Sequence, residues 1–131
     1  RSSRAQELGV EKVELDELFA RADFITLHTP MTPQTRGILS AEALAKTKKG
    51  VRIINCARGG LVDEAALAAS LKAGHLGGAA IDVFGTEPLP ASPHFEGCPN
   101  LVLTPHIAGV TAEANERVSF LIADRVLEAL A

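Results

Sequence analysis

Four short apolar runs, each broken at its end by a polar or turn-forming residue, constrain this chain more than any other feature. Phe24-Ile25-Thr26-Leu27-His28 stops at Thr29-Pro30, and Val51-Arg52-Ile53-Ile54-Asn55-Cys56 stops at Arg58-Gly59-Gly60. Ala79 to Val83 runs into a Pro- and Gly-rich stretch, and Leu101-Val102-Leu103-Thr104 ends at Pro105. Runs of this length, rich in β-branched residues and closed by residues that cannot extend a ladder, read as buried strands. Helical segments lie between and around them. Leu15 to Arg21 places Leu15, Leu18, Phe19 and Ala22 at helical spacing, Ser40 is the expected N-cap of a helix over Ala41 to Lys46 that Gly50 stops, and Asp63 is the expected cap of a helix carrying Ala66, Leu67 and Leu71. Arg4 to Leu8 reads as a helix end closed by Gly9, and Val10 to Val13 as a short strand. Thr111 opens a last helix with Val118, Leu121, Ile122, Val126, Ala129 and Leu130 on one face. Strand and helix in alternation predict an α/β fold on a parallel sheet, with the loop from Phe84 to Asn100 long enough to be functional.

Composition narrows the class. The chain has 131 residues, 47% hydrophobic and 22% charged, which suits one domain with a real core. It has no Trp, no Tyr and five Phe, so that core must be built from Ala, Val, Leu and Ile. A net charge of -3 without a basic block argues against nucleic acid or an anionic membrane as partner. No apolar run approaches the roughly 20 residues that cross a bilayer. A cytoplasmic protein is the expectation. Cys56 and Cys98 are both expected as thiols, Cys56 as a buried structural one. His94 and Cys98 stand four apart without two further ligands at zinc spacing, so no metal site is expected. The chain opens on Arg1 and not on Met, as expected of a piece of something longer.

In parallel sheets ligands bind beyond the carboxyl ends of the strands, where the outgoing loops collect. The residues at those ends here are His28-Thr29-Pro30, Cys56-Ala57-Arg58-Gly59-Gly60, Asp82 through Glu87-Pro88, and Thr104-Pro105-His106. Arg58 offers a planar fork that fits a carboxylate in two parallel hydrogen bonds. His106 is the side-chain type that gives and takes a proton near neutrality, and a carboxylate beside it, for which Glu87 is the candidate, would fix its orientation. Taken singly, each has an ordinary reading: Arg58 as a solvated or salt-bridged residue, Glu87 as a solvated loop carboxylate, His106 as a partner of a backbone group. Their joint placement at successive strand ends favours a ligand-binding α/β domain with an acid/base site.

Three segments carry a resemblance. Asn55-Cys56-Ala57-Arg58-Gly59-Gly60-Leu61-Val62-Asp63, Ala80-Ile81-Asp82-Val83-Phe84 with Glu87-Pro88, and Thr104-Pro105-His106-Ile107-Ala108-Gly109 closely resemble signature segments of the D-isomer-specific 2-hydroxyacid dehydrogenases, and Leu27-His28-Thr29-Pro30 is similar to the same family. The resemblance covers nearly the whole chain. It implies a partial Rossmann-like, doubly wound parallel sheet with flanking helices, residues 1–131 forming the C-terminal portion of an NAD(P)-binding domain. It also implies an NAD-dependent interconversion of a small 2-hydroxy acid and a 2-oxo acid. Arg58 would hold the substrate carboxylate, His106 would transfer the proton, and Glu87 would pair with His106. The cofactor would be bordered by His28, Thr29 and Pro30, passed by Cys56, Ala57 and Arg58, met at its carboxamide by Asp82, and closed in by His106, Ala108 and Gly109. Relatives that act as co-repressors with the same fold leave a non-catalytic dinucleotide-binding module as the alternative. No G-x-G-x-x-G occurs, so the segment that cradles a pyrophosphate is absent from this sequence, as are both parts of a substrate domain. Arg1-Ser2-Ser3-Arg4 stands where two arginines and two hydroxyls would suit a 2′-phosphate, which makes NADP possible while NAD is expected. Lacking a first strand beside it, Phe24 to His28 would form an open edge, and a homo-oligomer is expected.

Overall fold

The computed structural model describes residues 2–131, with the side chains of Ser2 and Ser3 outside the description. The NADP reading of Arg1 to Arg4 therefore lies mostly outside the described residues. Within it, the Arg4 guanidinium is exposed and donates to Glu7 at 2.7 Å. The elements run α1 (Ser2–Glu7), α2 (Leu15–Arg21), β1 (Phe24–Leu27), α3 (Ala41–Ala45), β2 (Arg52–Asn55), α4 (Glu64–Lys72), β3 (Gly78–Ile81), β4 (Leu101–Leu103) and α5 (Ala112–Leu130). The four strands form one parallel sheet in the order β1-β2-β3-β4.

Local chemistry explains the boundaries. The side chains of Ser40, Asp63 and Thr111 each accept from the backbone N–H three residues on, satisfying one of the donors a helix start leaves free. Gly9 closes the α1 region with φ +65°, a conformation that side chains resist. Residues 10–14 form no strand. A strand exists only through a neighbour's hydrogen bonds, and β1 pairs with β2 alone, leaving these residues without a ladder partner among those described.

The core lies on one face of the sheet. Ile25 and Leu27, Ile53, and Ala79 and Ile81 point into it against Phe19 of α2, Leu44 of α3, and Leu67, Ala68 and Leu71 of α4. Strands of a parallel sheet are usually covered on both faces. Burial instead alternates along β1 and β2, because α2, α3 and α4 share one layer. The other face leaves Phe24 61% and Val102 60% exposed, with the Arg52 guanidinium 5.3 Å from the Phe24 ring centre. The apolar face of α5 forms as the spacing predicts, yet no residue of that helix is buried.

Candidate active site

Register sets the site. Leu27, Asn55, Ile81 and Leu103 are paired in one row across the sheet. The residues one step further on, His28, Cys56, Asp82 and Thr104, therefore leave the sheet at one level. The ladder continues into two of them: the Asp82 N–H donates to the Asn55 carbonyl at 3.0 Å, and the Thr104 N–H to the Ile81 carbonyl at 3.1 Å.

Asp82 organises the loop that carries His106. The Asp82 side chain is 2% exposed. Its Oδ1 accepts from the Thr104 hydroxyl at 2.6 Å and the Ile107 N–H at 2.8 Å, and its Oδ2 from the Ala108 N–H at 2.9 Å. Burial pushes this carboxyl up, but the Thr104 hydroxyl and the Ala108 and Ile107 amides, helped by nearby His106, hold it below the ordinary range. Asp82 is thus an ionised hub wrapped by residues 104–108. His106 within that loop takes φ +54° and its N–H donates to the Thr104 carbonyl at 3.0 Å.

His106 and Glu87 meet. Glu87 Oε2 lies 2.6 Å from His106 Nδ1, and Glu87 Oε1 accepts the Phe84 N–H at 2.8 Å. The bonds from His106 and then Phe84 hold the Glu87 carboxyl below its usual range. An ionised carboxylate can only accept, so Nδ1 carries the proton and Nε2 is left for another partner. Phe84, Pro88, Leu89, Leu103 and Pro105 surround the pair in a cavity of about 600 Å³. This is a half-exposed imidazole, oriented by a carboxylate, beside an apolar wall.

Arg58 stands apart from that pair. It follows β2 in a turn shaped by Asn55, which is 1% exposed: Asn55 Nδ2 donates to the Arg58 carbonyl at 3.0 Å and Asn55 Oδ1 accepts the Ala57 N–H at 3.1 Å. The guanidinium is exposed, donates to the Ala57 carbonyl at 2.6 Å, and makes no ion pair among the described residues. The two turns nevertheless touch through the backbone, since a methyl group on Gly59 would overlap the Phe84 carbonyl. Cys56 is exposed, not buried as expected, because the chain has left the sheet by that residue. On β1, the His28 ring lies 3.0 Å from the Thr26 hydroxyl, and the Pro30 carbonyl accepts from the Thr35 hydroxyl at 2.7 Å. Thr29 carries a buried hydroxyl oxygen that has no partner among the described residues. Ala108 gives its amide to Asp82, while Gly109 faces open space. The Cys98 thiol donates to the His94 carbonyl at 3.3 Å. Asn55, Thr104 and Gly59 were missed as site-building residues. Only the polar Asn closing an apolar run and the paired glycines after it gave any signal.

The model of the D-isomer specific 2-hydroxyacid dehydrogenase NAD binding domain matches residues 1–108. The chain belongs to this family. The D-3-phosphoglycerate dehydrogenase of Mycobacterium tuberculosis H37Rv is 54% identical over 129 residues, covering 98% of this chain and 24% of that protein. The (S)-sulfolactate dehydrogenase of Chromohalobacter salexigens is 52% identical over 122 residues, covering 92% of this chain and 40% of that protein. Among solved structures, a glyoxylate reductase from Paecilomyes thermophila superposes with a TM-score of 0.86 at 35% identity, over 96% of this chain and 38% of that one. This chain therefore spans about a quarter of the phosphoglycerate dehydrogenase it matches. The fold is that of the family's NAD-binding domain in part: four parallel strands with their flanking helices.

Proposed function

We propose that this chain forms the C-terminal portion of the nucleotide-binding domain of a dehydrogenase that interconverts a D-2-hydroxy acid and a 2-oxo acid. The observation that carries this reading is the 2.6 Å contact between Glu87 Oε2 and His106 Nδ1 at the carboxyl edge of the sheet. With Nδ1 held by the carboxylate, His106 Nε2 is the atom that protonates the carbonyl oxygen during reduction and takes the hydroxyl proton during oxidation. The negative charge of Glu87 stabilises the imidazolium formed in the second case. Arg58, free of any carboxylate partner among the described residues, binds the substrate carboxylate as a bidentate fork. A 2-hydroxy acid, the class named in the family's description, carries its carboxyl group beside the hydroxyl-bearing carbon, which is what such a fork reads. A phosphoglycerate-type substrate, and with it a place in serine biosynthesis, is the reading that 54% identity to a D-3-phosphoglycerate dehydrogenase favours.

The residues at the strand ends fit a nicotinamide dinucleotide. The unpartnered buried hydroxyl of Thr29 is a polar group in need of a partner at the end of β1, beside His28 and Pro30. Cys56, Ala57 and Arg58 lie at the end of β2, where the nicotinamide would pass. A carboxylate has about four acceptor sites. Asp82 uses three of them on the Thr104 hydroxyl and two amides, which leaves one for the carboxamide N–H. His106, Ala108 and Gly109 close that side. Bound there, the cofactor supplies or accepts the hydride. NAD is the expected form, and a homo-oligomer in the cytoplasm is the expected setting. The test is turnover of a 2-hydroxy/2-oxo acid pair by the full-length polypeptide. Replacement of His106 by Ala is expected to lower kcat about 10²- to 10⁴-fold. An unchanged rate would remove His106 from proton transfer, and no turnover in the parent protein would favour a non-catalytic dinucleotide-binding module.

A further inference from the structure

Nothing in the proton-transfer reading uses helix α4, yet its first residue reaches the loop that carries Glu87. Glu64, half-buried at the start of α4, accepts the Gly85 N–H on Oε1 at 2.7 Å. One residue earlier, the Phe84 N–H is taken by Glu87 itself at 2.8 Å. Two consecutive amides of this turn are thus held by two carboxylates, one local and one 21 residues away. The opposite side of the turn is fixed by packing. The Phe84 carbonyl lies against Gly59 so closely that no side chain fits there, and the Phe84 ring meets Phe95 edge-on with centres 6.2 Å apart. Phe84 is therefore the rigid end of the segment and Gly85 the tethered one. Glu87, two residues beyond that tether, presents Oε2 to His106 at 2.6 Å.

We propose that Glu64 is a positioning residue: its bond to Gly85 sets the orientation of the Glu87 carboxylate, and through it the tautomer and orientation of His106. The inference rests on the reading of Glu87 and His106 as the proton-transfer pair and extends that machinery to α4. The first turn of a helix is a favourable place for a carboxylate, and Glu64 there turns Oε1 toward the Gly85 N–H as an acceptor. Without it the Gly85 N–H is left to water, and the turn keeps only its Phe84 anchor. Glu87 then retains its own amide bond while its second oxygen is free to swing away from Nδ1.

The experiment is long-range ¹H–¹⁵N NMR of the imidazoles in this chain at about pH 9, where an unperturbed histidine is neutral. His106 is assigned by loss of its signals in His106→Ala, and the amides of Ile53 and Leu67 report an intact core. The parent chain is expected to hold His106 in the tautomer protonated at Nδ1. Glu64→Ala is expected to lower the ratio of the two tautomers about fivefold toward the value in Glu87→Ala. Glu64→Asp, one methylene too short to reach Gly85, is expected to do the same and serves if the Ala variant fails to fold. Glu64→Gln keeps the acceptor oxygen and is expected to hold the ratio within about twofold. An unchanged ratio in the Ala and Asp variants, with the core amides in place, would overturn the proposal. The readout needs no turnover, so failure of the dehydrogenase reading would show separately, as activity that survives His106→Ala.

Discussion

Asp82 illustrates how one buried side chain builds a site it does not itself finish. The acceptors it supplies to Thr104, Ile107 and Ala108 hold the 104–108 loop over the end of the sheet, and His106 rides on that loop. Asp82→Asn keeps the shape but turns one acceptor into a donor facing a donor. It is expected to destabilise the fold by about 1–3 kcal/mol, measured by urea denaturation, with faster amide exchange at Ile107 and Ala108. The same residue sets a pH dependence. Its carboxyl, like that of Glu87, lies below its ordinary value in the folded state, so its stabilisation is fully present above the unfolded value of about 3.9. It is lost as pH falls through the lower folded value. The amide shifts of Ile107 and Ala108 should therefore titrate below the range of an exposed aspartate, and a transition at or above that range would contradict the hub role. Gly59 makes a complementary case. Ala at that position forces apart the Arg58 and Phe84 turns and is expected to lower stability by about 1–3 kcal/mol. These residues are visible in the sequence as a polar residue or a glycine after a strand, but their partners stand more than 20 positions away and no local pattern names them.

Helices α4 and α5 carry similar apolar residues and opposite fates. Leu67 of α4 is fully buried against the sheet, whereas Leu121 of α5 is 54% exposed. Leu67→Ala is expected to remove about 2–5 kcal/mol. Leu121→Ala is expected to change stability by no more than about 0.5 kcal/mol. Urea denaturation of the two variants side by side checks the contrast, and equal losses would mean that α5 packs on the domain in solution. Element boundaries were legible because local chemistry sets them. Ser40, Asp63 and Thr111 cap where their side chains reach the third amide, and Leu15–Arg21 appears as its apolar spacing predicts. The short run at Val10 shows the limit of that logic: strand-like composition makes no strand when no neighbour stands beside it.

For the whole molecule, the side of β1 that has no partner among the described residues, the bare face bearing Phe24 and Val102, and the unburied face of α5 each leave large apolar residues exposed. The chain is expected to self-associate in sedimentation velocity, less so when Phe24 is replaced by Lys, and to bind NADH weakly because the sequence offers no glycine-rich turn for the pyrophosphate. A monomer that binds NADH tightly would contradict both expectations. The sequence alone determined the α/β class, the order of the four sheet strands and the helices around them, the caps, and which residues leave each strand at its carboxyl end. It could do so because side-chain size, turn chemistry and periodicity act over a few residues. Only the tertiary structure decided that the four strand ends fall in one row, that Asp82 is wrapped by the His106 loop, and that Glu87 meets His106 while Arg58 pairs with no carboxylate among the described residues. Those outcomes depend on parallel register and on hydrogen bonds between residues 19 to 26 positions apart, which form only after the sheet has brought them together.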